Sequence, residues 1–177
     1  MGQNIYGVDI GTSNFKMCCK DKDKIINEKN IIAIANKKDI LAFGDEAYEM
    51  YEKAPEHIEV SFPVKFGVIA DIENMQTLLL RFFNKMNDDK KFTGNTDFYI
   101  AVPTDVTEVE KRAFYELVAD SKVKAKNIYI VDKPVADAIG AGLDVTKSKG
   151  IMIVNIGAET TEISVLSLGG IVISKIC

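Results

Sequence analysis

Two short segments of the sequence repeat one pattern of residue types. The first reads Val-Asp-Ile-Gly-Thr-Ser-Asn over residues 8–14, and the second reads Val-Asn-Ile-Gly-Ala-Glu-Thr over residues 154–160. In each, an apolar run ends in an acid or its amide, and Ile-Gly and small polar residues follow. Glycine lets the backbone approach a ligand closely, and the successive N–H groups of such a turn form a concavity that binds anions. Either hairpin alone would be consistent with an ordinary turn, but the pair predicts a clamp that grips one polyphosphate from two sides.

The composition is that of an intracellular globular protein. The chain has 177 residues, 47% apolar and 27% charged, which suffices for one ordinary domain or two small ones. Its net charge of −4 argues against a general attraction to nucleic acid. Cys18, Cys19 and Cys177 form neither a disulfide framework nor a metal-binding spacing. No apolar run approaches the ~18 residues of a membrane span, and the first residues do not resemble a signal peptide.

Strand and helix patterns alternate along the chain and must position the two hairpins. Strands are predicted at residues 5–10, 15–20, 98–102, 128–131, 151–155, 161–167 and 170–174. Helices are predicted after Asp71, where apolar residues recur at helical spacing, after Thr107, which forms a capping box with Glu110, and around Pro134. Residues 30–70 carry shorter elements and predict a small inserted subdomain. This order of elements is typical of an α/β fold.

Five stretches of the chain contain segments that resemble MreB, the bacterial actin homologue. These segments occur in the same order as in that family. These stretches are residues 8–14, 67–71, 102–113, 138–143 and 160–170. The first would equally suit DnaK-type chaperones or sugar kinases, whereas residues 67–71 and 138–143 point to MreB more narrowly. The resemblance is to the amino-terminal half of the family. It implies an actin-like fold, a duplicated ribonuclease H-like α/β fold, of which only the first half and the start of the second are present.

The resemblance also implies a division of the chain. Residues 1–29 and 71–143 match the first large actin-like subdomain, residues 30–70 match the small inserted subdomain, and residues 144–177 match the beginning of the second large subdomain. The adenosine-contacting loop of the family lies outside these segments. Since an MreB chain is about twice as long, we expect a fragment rather than a truncated gene product.

A nucleotide site with ATP and magnesium follows from the resemblance. Asp9 matches the carboxylate that holds Mg²⁺ through water, and Thr160 matches a threonine that helps to place the attacking water. Lys65 matches a lysine near the cleft, the alternative being a surface lysine with no role. The residues that match the two phosphate loops are Gly11, Thr12, Ser13 and Asn14 in the first hairpin, and Gly157, Ala158, Glu159 and Thr160 in the second.

Two motifs depart from the family pattern: residues 132–134 replace Glu-Glu-Pro, and residues 155–159 replace Asp-Ile-Gly-Gly-Gly. Lys133 stands in place of the glutamate that orients the water, Asn155 in place of a carboxylate, and Glu159 in place of a glycine. A charged ammonium cannot accept a hydrogen bond from water, but it can hold a phosphate as a point charge. An amide does not balance divalent charge, and Glu159 would repel phosphate unless it turns away. We therefore expect ATP binding with hydrolysis slowed by about 10²–10⁴-fold.

The sequence thus predicts an ATP-binding, filament-forming cytoskeletal protein of the MreB type that acts in cell shape or motility and is at most a weak ATPase. The expected partners are further copies of the protein, in filaments and protofilament pairs, with docking on a membrane or membrane protein as an option and with no nucleic acid. The expected location is the cytoplasm, with membrane association allowed. Two alternatives stay open: a non-filamentous actin-fold scaffold that has lost nucleotide binding, and a small-metabolite kinase of the same superfamily.

Overall fold

Strands and helices alternate through residues 4–20, 22–88 and 95–177, which the computed structural model describes. In chain order, the elements are β1 (Asn4–Ile10), β2 (Asn14–Cys19), β3 (Lys22–Lys29), β4 (Ile32–Ala35), β5 (Asp39–Phe43), α1 (Asp45–Met50), β6 (Ile58–Ser61), β7 (Val64–Lys65), β8 (Val68–Ile69), α2 (Ile72–Met86), β9 (Thr96–Val102), α3 (Glu108–Ala119), β10 (Asn127–Asp132), α4 (Lys133–Gly140), β11 (Ile151–Ile156), β12 (Thr161–Ser167) and β13 (Gly170–Ile176). The predicted α/β class is confirmed. Within the described ranges, no helix is long and apolar enough to cross a membrane.

The largest sheet has five strands in the order β10-β9-β1-β2-β3. Strands β1, β9 and β10 run parallel, whereas β2 and β3 join as antiparallel strands. Asp9 of β1 is level with Ala101 of β9, which is level with Val131 of β10. Because parallel strands end at the same edge of a sheet, Asp9 and the residues that follow β9 and β10 meet at one edge.

One face of this sheet forms the core with α2 and α3. Along β1, Tyr6, Val8 and Ile10 point into the core, so Asp9 lies on the opposite face. Both helices begin at the caps that the sequence predicts. Asp71 Oδ1 accepts a hydrogen bond from the N–H of Asn74 at 3.0 Å, and the predicted capping box at the start of α3 is present.

Three smaller sheets complete the fold. All three are antiparallel: two have three strands, in the orders β5-β4-β6 and β11-β12-β13, and the third is the two-stranded ladder β7-β8. The sheet β5-β4-β6, with α1 beside it, lies inside the predicted inserted segment. The division into subdomains, which rests on the resemblance, stays a prediction.

Two segments differ from the sequence expectation. Only residues 25–26 suggest a third strand, yet β3 extends over 8 residues because it follows β2 along its length. Its charged positions are tolerated because the pairing uses backbone groups. Residues 62–70, predicted as strand or loop, contain β7 and β8, joined by a turn in which Phe66 and Gly67 have φ values of 50° and 78°.

Candidate functional site

A cleft of about 580 Å³ lies where β1, β9 and β10 end, and the β11–β12 hairpin forms its other wall. Ten of the residues predicted for the site line it: Asp9, Gly11, Thr12, Ser13, Asn14, Lys133, Asn155, Gly157, Ala158 and Thr160. The two hairpins that share a sequence pattern therefore face one cavity.

The same backbone hydrogen bond closes both hairpin turns. The N–H of Gly11 donates to the carbonyl oxygen of Asn14 at 3.1 Å, and the N–H of Gly157 donates to that of Thr160 at 2.8 Å. A Cβ on either glycine would stand 2.9 Å from that carbonyl oxygen, closer than real Cβ contacts. Both turns therefore require glycine on steric grounds, and the repeat in sequence corresponds to a repeat in structure.

Asp9 is held between two lysines. Its Oδ1 accepts a hydrogen bond from Lys133 Nζ at 2.8 Å, and its Oδ2 accepts one from Lys16 Nζ at 2.7 Å. Lys16 is the residue of β2 directly opposite Asp9. Burial alone would raise the pKa of Asp9, but Lys133 and then Lys16, through charge and hydrogen bonding, hold that pKa below its ordinary value. Asp9 is thus an ionised carboxylate at neutral pH, with both oxygens engaged.

These contacts do not fit the magnesium ion that the resemblance implies at Asp9. Magnesium binds through oxygens of carboxylates, phosphates and water. Each oxygen of Asp9 already accepts from an ammonium group, and Asn155 carries no charge. Among residues 4–20, 22–88 and 95–177, no group of three or more His, Cys, Asp or Glu side chains could hold a metal ion.

Asn155 is paired with an acid that sequence reasoning missed. Its Nδ2 donates to Oδ2 of Asp137 at 2.5 Å, which joins β11 to α4. Asp137 also lines the cleft. The sequence could have indicated Asp137 as a site residue, because it lies four positions after Lys133 and residues at that spacing share one face of a helix.

Glu159 and Lys65 lie outside the cleft. Both line a neighbouring cavity of about 460 Å³, together with Tyr48, Tyr51 and Phe62. Glu159 Oε2 accepts a hydrogen bond from the backbone N–H of Phe66 at 2.6 Å. The structure thus turns the Glu159 carboxylate toward the β7–β8 turn, where it is engaged by a backbone donor.

Glu162 is a buried acid in the cleft wall that the sequence analysis did not assign. Its Oε1 accepts from the backbone N–H of Thr104 at 3.1 Å and from the Thr104 hydroxyl. This contact joins β12 to the loop that follows β9. The alternation of the strand could have indicated its burial, because Glu162, Ser164 and Leu166 are every second residue and lie on the buried face of β12.

The chain is similar to known proteins along almost its whole length. The family model described as "MreB/Mbl protein" matches residues 3–177. The cell shape-determining protein Mbl of Bacillus subtilis (strain 168) is 38% identical over 170 residues, covering 96% of this chain and 50% of that protein. The cell shape-determining protein MreB of Escherichia coli (strain K12) is 33% identical over 180 residues, with 99% and 51% covered. The chain thus spans about half the length of the curated relatives it matches.

Solved structures agree with this assignment. MreB5 of Spiroplasma citri bound to ADP has a TM-score of 0.88 and 30% identity, covering 99% of this chain and 52% of that one. MamK in a double helical filament has a TM-score of 0.78 at 21% identity, which shows the fold alone. The predicted actin-like fold is confirmed. The family match, the fold and the paired glycine turns lead to one conclusion: the chain belongs to the MreB/Mbl family of actin-like, cell shape-determining proteins.

Proposed function

We propose that this chain supplies the phosphate clamp of an ATP-binding, filament-forming cytoskeletal protein that acts in cell shape or motility. The observation that supports it is the pair of glycine turns at Gly11 and Gly157, which carry the same closing hydrogen bond and line one cleft. MreB5 of Spiroplasma citri has been solved with ADP and with AMPPNP. The similarity to that protein supports a nucleotide as the polyphosphate.

The chemistry of the clamp comes from backbone and lysine. Turns of this kind direct backbone N–H groups toward an anion, and an ammonium group binds phosphate as a point charge. Lys133 lines the same cleft as the two turns, with its side chain only 18% exposed. Magnesium at Asp9 stays a prediction from the resemblance, and because the donors there do not fit it, we propose no role for the ion.

We further propose that hydrolysis is slow. A water that attacks phosphate needs a group that accepts its proton or orients it. Lys133 is a donor tied to Asp9, and the Asn155 amide nitrogen donates to Asp137. Neither position therefore presents a carboxylate that could accept the proton of the water, and on this proposal the protein is at most a weak ATPase.

The protein expressed from its complete gene tests this function. Calorimetry should show heat of ATP binding, and sedimentation should show more pelleted protein with ATP than without nucleotide. Absence of ATP binding would overturn the clamp. Binding without pelleting would favour a non-filamentous scaffold, and ATP-dependent phosphorylation of a small metabolite would favour the kinase.

Location and partners are proposed on the same basis. We propose self-association in the cytoplasm, as filaments and protofilament pairs, with a membrane or membrane protein as a second partner and with no nucleic acid. MamK, which shares the fold, forms a double helical filament. Co-sedimentation with liposomes that contain anionic lipid, compared with sedimentation alone, measures the membrane contribution.

A further inference from the structure

Two ammonium groups flank the Asp9 carboxylate in the cleft. Lys133 and Lys16 each contact one oxygen of Asp9, at 2.8 and 2.7 Å. Two positive charges against one negative charge leave a local excess of one positive charge. Lys133 is the more enclosed of the two, with 18% of its side chain exposed against 48% for Lys16.

The other acids of the cleft are also engaged by donors of the protein. Asp137 accepts from the Asn155 amide, and Glu162 accepts from Thr104. A divalent cation at Asp9 would compete with two charge-assisted hydrogen bonds for the carboxylate and would be repelled by both ammonium groups. Over the whole cleft, however, two lysines stand against three carboxylates, so phosphates that enter it need a cation beside them.

Lys133 meets that need by its position and its donors. An ammonium group has three N–H donors, and Asp9 is the one hydrogen-bond acceptor of Lys133 within the described residues. Two donors can therefore turn to phosphate oxygens while the third stays fixed by Asp9. Since Lys133 replaces the glutamate that orients the water in the family pattern, an anion that would repel phosphate is replaced by a cation that can bind it directly.

We propose that the Lys133 ammonium is a built-in cation for the nucleotide phosphates, so that ATP binds without a divalent metal. The proposal rests on the proposed nucleotide clamp. It assigns Asp9 a new role as the residue that positions Lys133.

The test compares ATP binding in EDTA with ATP binding in Mg²⁺, by calorimetry on the protein expressed from its complete gene. We expect the two dissociation constants to agree within about threefold. Lys133→Met should weaken binding in EDTA by about tenfold or more, because a charge-assisted hydrogen bond is lost. Lys133→Arg should retain binding in EDTA, because the charge remains. Lys38→Met, at an exposed turn residue between β4 and β5, is the matched control and should leave binding unchanged.

The outcomes separate the two proposals. Binding that requires Mg²⁺ would overturn the built-in cation and leave the clamp intact. Unchanged binding by a folded Lys133→Met variant in EDTA would also overturn it, with circular dichroism as the check on folding. No ATP binding in either buffer would overturn both proposals. Lys133→Glu adds a positive readout, since this variant should bind ATP more tightly in Mg²⁺ than in EDTA.

Discussion

The backbone N–H of Phe66 donates to Oε2 of Glu159 at 2.6 Å, across 93 positions of the sequence. This hydrogen bond holds the Glu159 carboxylate toward the β7–β8 turn, so that the acid can lie next to a phosphate-binding turn without repelling the phosphate. The carboxylate lines the neighbouring cavity, with a backbone donor against it.

Removing this acid should affect stability more than nucleotide binding. We expect Glu159→Ala to change ATP affinity by less than about threefold and to lower the free energy of unfolding by about 1 kcal/mol, the usual worth of a hydrogen bond. Glu159→Gln keeps the acceptor and is the control. Calorimetry and urea unfolding measure the two effects. A tenfold gain in ATP affinity in Glu159→Ala would mean that the acid opposes phosphate after all.

Restoring acids at positions 133 and 155 should raise the rate of hydrolysis. The contact of Asn155 with Asp137 makes a third substitution necessary. Asn155→Asp alone would place two carboxylates at the 2.5 Å contact with Asp137, and like charges at that distance cannot both ionise easily. We therefore expect Lys133→Glu with Asn155→Asp and Asp137→Ala to release phosphate about 10²-fold faster than the wild type. Each single change should do less, because the groups act together.

The measurement is phosphate release at saturating ATP with Mg²⁺. Asp137→Ala alone serves as the control for the loss of the contact between α4 and β11. A triple variant that binds ATP and hydrolyses it at the wild-type rate would show that Lys133 and Asn155 do not limit the reaction.

The two glycine turns should be sensitive to one methyl group. In Gly11→Ala and Gly157→Ala the new Cβ would meet a backbone carbonyl oxygen at 2.9 Å, and we expect each change to cost about 1–3 kcal/mol and to weaken ATP binding. Gly140→Ala is the matched control. Its Cβ meets nothing within 4 Å. Alanine should stabilise the end of α4 relative to glycine by about 0.5–1 kcal/mol. Thermal unfolding of all three variants, with ATP binding by calorimetry, checks this, and equal melting temperatures would contradict it.

Ionisation of Tyr6 should make the protein less stable at alkaline pH. Burial raises the pKa of Tyr6 to about 12, although its hydrogen bond to Asn87 lowers it in part. An unfolded tyrosine ionises near pH ~10, so the unfolded state loses its proton first as the pH rises. The free energy of unfolding should therefore fall between about pH 10 and 12, by at most about 1.4 kcal/mol per pH unit.

Urea unfolding at a series of pH values measures this slope. Tyr6→Phe keeps the ring and removes the ionisation, so the slope should be smaller in this variant. Identical slopes in the wild type and in Tyr6→Phe would show that another group causes the loss.

The elements of the fold could be predicted because their signals are local. The caps at Asp71 and Thr107 each involve residues only a few positions apart. The apolar spacing of α2 likewise lies within one short segment. The glycine turns could be predicted for the same reason, since a sharp turn beside a strand leaves its mark in consecutive positions. Strand β3 was underestimated because its pairing with β2 uses the backbone, which every residue type supplies.

The contacts of the site could not be predicted in the same way. The bond between Lys133 and Asp9 spans 124 positions and depends on the register of β1, β9 and β10. Asp137 was missed because a single acid on a helix usually marks a solvated face. Glu162 was missed because a buried acid depends on a distant donor, and Thr104 lies 58 positions away.

The turn between β7 and β8 links the two walls of the clamp. The N–H of Gly67 donates to Thr12 Oγ1 of the first hairpin at 3.1 Å, while the N–H of Phe66 donates to Glu159 of the second. Both walls are therefore fastened to two neighbouring amides of one peptide segment, whose Cα atoms are about 3.8 Å apart. Widening the cleft would strain these two bonds together with the contacts of Asn155 with Asp137 and of Glu162 with Thr104.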